Sequence, residues 1–412
     1  LDEALVELGR AIELDPDEAP GHADRARVHL LRGDAAAARR DAHRAIELDP
    51  TLARAWQNRA AAWLAEGQAD EALADATRAL DLAPSMEEAW LTRADARLKT
   101  GDTAGARADL DALLARYPYS SDGLTRRARA RAEQGDIDGA LDDVERAIEL
   151  GGASGERRVL RGACLARKDD VRGALEEFSR AIAGGHDVGL ARLNRSIAYG
   201  MLGRLRDAHD DASRAIELEP RNPVFWVNRA HVRLRLGLLT ESVEDARWAI
   251  ELDPRAERAH ANLGLSLSRL RRDVEALEAL DRAMELDPED DGSLLERGLV
   301  RARTGDEEGA LADLDRALEL EPGYALGYAE RGRLRAGRGD VAGGLADLDR
   351  ALELAPDHAP SLDQRGLVHE RLGDLERARA DWRRALGLLD PRDPLAHEVR
   401  DRLAATEAVE PR

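Results

Sequence analysis

Arg214-Ala215-Ile216-Glu217-Leu218-Glu219-Pro220 is one copy of a short stretch that recurs along the chain. Its apolar residues stop just before the proline, which cannot continue a helix, so the stretch reads as a helix end followed by a turn. Close copies occupy residues 45–50, 249–254 and 317–322. The turn prolines lie 34 residues apart, except for one interval of 102 residues, which is three times 34. A fixed period of this length predicts an array of helical repeats.

Placing the turn proline at position 32 of each repeat defines eleven repeats without insertion or deletion, ending at Arg392. The repeats begin at Ala19, Ala53, Glu87, Ser121, Gly155, Gly189, Pro223, Glu257, Asp291, Ala325 and Ala359. Each reads as helix A, a short turn, helix B and a second turn. Positions 8, 20 and 27 carry small residues almost throughout, which lets the two helices approach closely.

This pattern resembles the tetratricopeptide repeat family. Trp56, Trp90 and Trp226 match its large residue at position 4, and Gly264 and Phe178 match positions 8 and 24; position 11 departs from the family pattern, with arginine in several repeats. The resemblance implies an all-α fold, a right-handed superhelical α-solenoid of 34-residue helix-turn-helix repeats. It also implies a concave groove lined by positions 2, 5, 6, 9, 12 and 13 of helix A.

The sequence predicts four segments. Residues 1–18 read as helix B of a truncated repeat, 19–392 as the eleven repeats, 393–407 as a capping helix and 408–412 as a frayed tail. The first segment lacks a helix A over its apolar side, so we expect it to be covered by another segment or to support self-association.

Position 7 is arginine in ten repeats and position 23 is acidic in ten, and both exceptions, Leu263 and Ala279, fall in repeat eight. We therefore expect an ion pair between helices A and B inside each of the other repeats. Repeat eight would replace it with an apolar contact.

The composition weighs against several classes of function. Acidic residues exceed basic ones by 82 to 62, for a net charge of −20, which argues against general nucleic-acid binding. Cys164 is the single cysteine, and no membrane span or targeting segment is evident, so a cytoplasmic location is expected. No catalytic, metal-binding or phosphate-binding motif occurs. We predict neither enzyme activity nor a cofactor.

The groove-facing positions carry the candidate site. Position 6 is asparagine in three consecutive repeats, at Asn194, Asn228 and Asn262, with Asn58 isolated from them. An asparagine side chain donates and accepts, so such a row could hold an extended peptide backbone. It is similar to the asparagine ladder of O-linked N-acetylglucosamine transferases. Arginines flank the row at positions 13 and 2, namely Arg235, Arg258 and Arg269.

The sequence thus predicts a non-catalytic scaffold that binds a partner protein or an extended peptide in its groove, with acidic segments favoured. Two alternatives stay open at this stage. The chain could be the targeting array of a larger enzyme, such as a glycosyltransferase or a protein kinase, or it could be a self-assembling array.

Overall fold

The computed structural model describes residues 1–185 and 188–407, and all regular structure in these ranges is helical. The chain forms two compact units, Leu1–Arg204 and Leu205–Arg412. The helices of the first unit are α1 (Asp2–Leu14), α2 (Ala19–Leu31), α3 (Ala35–Leu48), α4 (Ala53–Ala65), α5 (Ala69–Leu82), α6 (Glu87–Lys99), α7 (Thr103–Arg116), α8 (Ser121–Glu133), α9 (Ile137–Gly151), α10 (Gly155–Arg167), α11 (Val171–Ala183) and α12 (Val188–Met201). Those of the second are α13 (Leu205–Leu218), α14 (Pro223–Leu236), α15 (Leu239–Leu252), α16 (Glu257–Arg269), α17 (Asp273–Leu286), α18 (Asp291–Thr304), α19 (Glu307–Leu320), α20 (Ala325–Gly337), α21 (Val341–Leu354), α22 (Ala359–Arg371), α23 (Leu375–Leu388) and α24 (Pro394–Glu407).

Helices A and B alternate as the period predicts, and within each unit consecutive helices pack on one another, which confirms the all-α solenoid of repeats. The turn between them is fixed by local chemistry. In repeat one, Gly33 adopts a φ of 79°, which a glycine tolerates, and Asp34 then accepts a hydrogen bond from the backbone N–H of Ala37 at 2.9 Å. Repeat eight places Arg271 at this turn position, with a φ of 60°.

In several repeats, a ring at position 4 of helix A contacts the carbonyl of the proline in the preceding turn. The indole N–H of Trp226 donates to the carbonyl of Pro220 at 2.9 Å, and Trp56 does the same to Pro50. His260 Nε2 lies 3.1 Å from the equivalent carbonyl of Pro254. The proline therefore ends one helix and also supplies the acceptor that sets the start of the next.

The crossing of helices A and B is packed by matched sizes at positions 8 and 24. A Cβ added to Gly264 would lie 2.5 Å from Leu280 Cγ, and one added to Gly366 would lie 2.6 Å from Trp382 Nε1. Both large side chains are fully buried. A glycine at position 8 thus makes room for a large residue at position 24. The core therefore stays closely packed although the size of the residue at position 24 varies among the repeats.

The predicted ion pairs between helices A and B are confirmed in nine repeats. In repeat seven, Arg229 Nε and Nη2 donate to the two oxygens of Asp245 at 2.8 Å each, and Asp245 is buried. In repeat eight, the apolar Leu263 packs against the core instead. Equivalent pairs are Arg25–Asp41, Arg59–Asp75, Arg93–Asp109, Arg127–Asp143, Arg161–Glu177, Arg297–Asp313, Arg331–Asp347 and Arg365–Asp381. These arginines are structural and are not free to contact a ligand.

The two ends of the described chain differ. Helix α24 packs on the last repeat, where Val399 joins Trp382 in one buried cluster, while α1 buries none of its residues completely. The segment boundaries given above stay predictions, and the tail expected at 408–412 lies outside the described residues.

Candidate peptide-binding groove

Within each unit, the A helices of neighbouring repeats touch one another, as α4 does with α2 and α6, and α16 does with α14 and α18. The B helices of neighbouring repeats have no comparable contact among the described residues. The A helices therefore lie on the inner side of the curve within each unit. Their positions 2, 5, 6, 9, 12 and 13 form what we call the groove face.

Two of the four asparagines at position 6, Asn58 and Asn262, are engaged inside the protein. Asn58 Nδ2 donates to the carbonyl of Ala23 at 2.8 Å, and Asn262 Nδ2 donates to that of Val227 at 3.2 Å. In both cases the acceptor lies on helix A of the preceding repeat, and both asparagines are buried. Their amide N–H groups tie neighbouring A helices together. A bidentate contact with a peptide would require that bond to be exchanged.

The other two asparagines have different settings. Asn194 is in the first unit, and its Nδ2 donates to the carbonyl of Leu190 on its own helix at 3.1 Å. Asn228, on α14, and Asn262, on α16, occupy equivalent positions of touching helices in the second unit. The structure thus brings two of the predicted asparagines together. Their role as a ladder stays a prediction.

Cations at position 13 share a second inter-repeat contact. Arg269 Nη1 donates to the carbonyl of Leu234 at 3.4 Å, and Lys99 and Arg371 contact the equivalent carbonyls of their preceding repeats at 3.4 Å. These carbonyls lie in the last turn of helix A, where positive charge is favourable. Arg269, predicted from sequence as a ligand contact, therefore also caps the neighbouring helix.

A cationic cluster forms on the groove face of repeats seven and eight, and we define it as His231 and Arg235 from α14 with Arg258 and Asn262 from α16. The pKa of His231 lies below its ordinary value, first because the surrounding groove removes water from the ring, then because Arg235 and Arg258 add positive charge. A hydrogen bond to Asn262 opposes these effects, since it favours the protonated ring.

Two of the predicted arginines, Arg235 and Arg258, are therefore near enough to His231 to lower its pKa. Arg258 is exposed and forms no ion pair within residues 1–185 and 188–407. The nearest sequence neighbour with a carboxylate, Glu257, has its pKa raised by burial and by Asp290, while Arg258 acts in the opposite direction. The positive charge of this cluster favours a carboxylate as its ligand.

His231 was not predicted from the sequence as a site residue. The available signal was its position 9 on helix A, one turn before Arg235, so both belong to the groove face of one helix. What the sequence did not show was that α16 places Arg258 and Asn262 against the same ring.

The groove face of the first unit has a different charge arrangement. A cleft of about 490 Å³ there is lined by Asp95, Arg126, Arg129 and Glu156 among others. Arg126 pairs with Asp95 at 2.8 Å and Arg129 with Glu156 at 2.6 Å. Arg126 and Arg129 are thus neutralised by carboxylates of the same cleft. The adjoining cleft, of about 380 Å³, is largely aliphatic and includes Leu190.

The described residues show neither a metal-binding group nor a membrane-spanning helix. No group of three or more His, Cys, Asp or Glu side chains is arranged to hold a metal ion in residues 1–185 and 188–407. Over the same ranges, no helix combines the length and hydrophobicity needed to cross a membrane.

Comparison with known proteins gives fold and family. The crystal structure of the APC/C hetero-tetramer Cut9–Hcn1 superposes with a TM-score of 0.59 and 17% identity, over 97% of this chain and 92% of that chain. The human IFIT1 dimer with PPP-AAAA superposes with a TM-score of 0.54 and 16% identity, over 94% of each chain. At such identities the likeness shows the fold alone. No curated protein sequence matches this chain.

Two family models described as tetratricopeptide repeat match the sequence itself. One covers residues 63–128, and the other covers residues 125–188, 227–291 and 275–325. Together these matches extend over more than half of the chain. The protein belongs to the tetratricopeptide repeat family.

Proposed function

We propose that this chain is a non-catalytic scaffold that holds an extended, acidic segment of a partner protein along its groove face. Repeats of this family support a protein-interaction role in general. The observation that carries the finer proposal is the cationic cluster, in which Arg235 and Arg258 both act on His231. In a chain of net charge −20, this local excess of positive charge favours a ligand carboxylate.

The expected mode of binding is modest contacts repeated along the ligand. A carboxylate would lie between Arg235 and Arg258, with His231 as a further donor when protonated. Asn228 would contact the ligand backbone at the neighbouring position. Affinity would then depend on several repeats acting together rather than on one deep pocket.

The test uses a fluorescein-labelled peptide of alternating Glu and Ser, with the Gln and Ser analogue as the uncharged probe. Arg258→Ala should weaken binding of the Glu peptide by about tenfold or more, since charge-assisted hydrogen bonds contribute roughly 1.5–3 kcal/mol. The matched control is Arg54→Ala. Arg54 occupies the same position 2 in repeat two but pairs with Asp24 at 3.5 Å.

Three outcomes would contradict the proposal: equal binding of the Glu and Gln peptides, no binding of either, or equal losses for Arg258→Ala and Arg54→Ala. The asparagine row is tested separately with Asn194→Ala/Asn228→Ala/Asn262→Ala. If this variant stays folded and binds the Glu peptide as wild type does, the row does not contact the ligand.

A further inference from the structure

A second surface is formed by helix B of repeat seven, whereas the groove face is formed by the A helices. Its most unusual residue is Trp248. Trp248 occupies position 26 and is 46% exposed. The same position is Ala112 in repeat three and arginine in the other nine: Arg44, Arg78, Arg146, Arg180, Arg214, Arg282, Arg316, Arg350 and Arg384. A large aromatic side chain therefore lies in water at a site where the array otherwise places a charge.

Arg44 and Arg316 show the contacts that an arginine at position 26 can make. Arg44 contacts Glu47, three residues later, at 3.2 Å, and Asp17, in the turn before its repeat, at 3.1 Å. Arg316 makes the same two contacts, with Glu319 at 3.0 Å and Glu289 at 3.1 Å. Each arginine thus bridges two carboxylates on the outer surface of its repeat.

Repeat seven differs from repeats one and nine at two of these three positions. Trp248 stands in place of the arginine, Glu251 keeps the later carboxylate, and Arg221 stands where those two repeats have Asp17 and Glu289. Trp248 packs at 61° against Trp226, with ring centroids 6.0 Å apart, and Trp226 is bonded to Pro220, the residue before Arg221. Arg221 and Glu251 are both exposed, and neither forms an ion pair with any residue of the described ranges.

The resulting surface, which we call the Trp248 patch, consists of Trp248 with Arg221 on one flank and Glu251 on the other. Such a patch is complementary to itself. A twofold axis through Trp248 would stack the two indoles and set Arg221 of each copy opposite Glu251 of the other. Isologous contacts of this kind are the usual basis of homodimers.

We propose that the Trp248 patch is the centre of a homodimer interface, with a second copy of this chain as its occupant. The charge pattern favours this occupant, since a partner of one sign would satisfy one flank and repel the other. Because Trp248 is 46% exposed, a second copy would cover roughly 100 Å² of it, about an eighth of the surface that a standard interface buries on each side. The dimer is therefore weak, with a dissociation constant in the micromolar range.

The test is sedimentation equilibrium of the full chain over a wide range of concentration. Wild type should move from 45.0 kDa towards twice that mass as concentration rises. Trp248→Arg restores the residue of the other repeats and its pair with Glu251, so it should fold and stay at 45.0 kDa. Its matched control is Trp248→Arg/Arg316→Trp, which places a tryptophan between two carboxylates and should remain monomeric.

Charge exchange tests the pairing itself. Arg221→Glu or Glu251→Arg should each weaken the dimer by about tenfold or more, and the double variant Arg221→Glu/Glu251→Arg should restore it. A wild type that stays at 45.0 kDa throughout, or a dimer unchanged by Trp248→Arg, overturns the proposal. Failure of the double variant to recover, with circular dichroism showing it folded, also overturns it.

Discussion

Repeats seven and eight, residues 223–256 and 257–290, are neighbours in the second unit and hold their helices together by different chemistry. In repeat seven, the buried Asp245 accepts from Arg229 at 2.8 Å and pairs with Arg233 at 2.8 Å. The three equivalent positions of repeat eight are apolar, namely Leu263, Leu267 and Ala279. The same backbone arrangement is thus compatible with a buried ion-pair network and with an aliphatic contact.

The two repeats nevertheless contribute jointly to one groove face. Repeat seven supplies His231 and Arg235, and repeat eight supplies Arg258 and Asn262. Interior residues of helix A therefore vary independently of its groove residues, because they point to different sides of the helix. The comparison teaches that the buried positions identify a repeat. The groove positions of helix A determine which ligand it can bind.

The largest effect is expected when the network of repeat seven is broken on one side only. Asp245→Ala leaves Arg229 and Arg233 without their carboxylate in a largely buried site. Removing one member of a buried pair costs about 3–5 kcal/mol of unfolding free energy. Urea denaturation of the full chain measures this loss, with the slope of the transition checked for two-state behaviour.

The control variant places the buried residues of repeat eight in repeat seven. Arg229→Leu/Arg233→Leu/Asp245→Ala removes all three charges together and installs the residues found at positions 7, 11 and 23 of repeat eight. Replacing a whole buried network by apolar residues is often neutral, so the triple variant should recover most of the loss. If it is as unstable as Asp245→Ala, the two interiors are not interchangeable and the comparison fails.

A smaller effect is expected at the helix crossing. Repeat seven has Ala230 at position 8, and repeat eight has Gly264, where an added Cβ would lie 2.5 Å from Leu280 Cγ and 3.3 Å from its backbone nitrogen. Gly264→Ala should therefore cost about 1–3 kcal/mol by overpacking, although alanine favours a helix. Thermal or urea unfolding measures it. Gly264→Ala/Leu280→Ala, which copies the small pair of repeat seven, should relieve the clash, and a stabilising single variant would contradict the size matching.

Much of the fold could be predicted because it rests on a period. The repeat starts follow from the prolines, and the pairing of Arg229 with Asp245 followed from their joint absence in repeat eight. The matching of Gly264 with Leu280 was also present in the sequence, but only a comparison of positions 8 and 24 across repeats would have shown it. Each of these is a property of one repeat, which local sequence can specify.

The site could be predicted less completely because it depends on contacts between repeats. The sequence placed Asn262 and Asn58 on the groove face but could not show that the preceding helix offers a carbonyl to each. The same holds for Arg269 and the carbonyl of Leu234. The pKa of His231 also depends on Asn262 and Arg258, which lie on the next helix. Whether such a side chain bonds to the neighbouring helix or to a ligand depends on distances between repeats, and the sequence of one repeat does not specify these distances.

The smallest effect concerns the protonation of His231, which both repeats influence. Its pKa lies below the ordinary value of about 6.5 because the groove removes water from the ring and because Arg235 and Arg258 are positive, with Asn262 opposing them. A bound carboxylate would raise that pKa, since it favours the charged ring. Binding then takes up a proton between the lowered pKa of the free protein and the higher pKa of the complex. Affinity for the Glu peptide should therefore rise as pH falls through this window.

The measurement is the dissociation constant of the Glu peptide from about pH 8 down to about pH 5, above the range in which its own carboxylates titrate. A gain of about three- to tenfold corresponds to a pKa difference of up to roughly one unit. His231→Gln keeps a hydrogen-bonding side chain that does not titrate, so it should bind with a flat profile. If the dissociation constant of wild type does not change with pH, or if its pH dependence survives in His231→Gln, the ligand carboxylate does not contact the imidazole. A flat profile combined with a large loss in Arg258→Ala would put the carboxylate beside the arginine but out of reach of the imidazole.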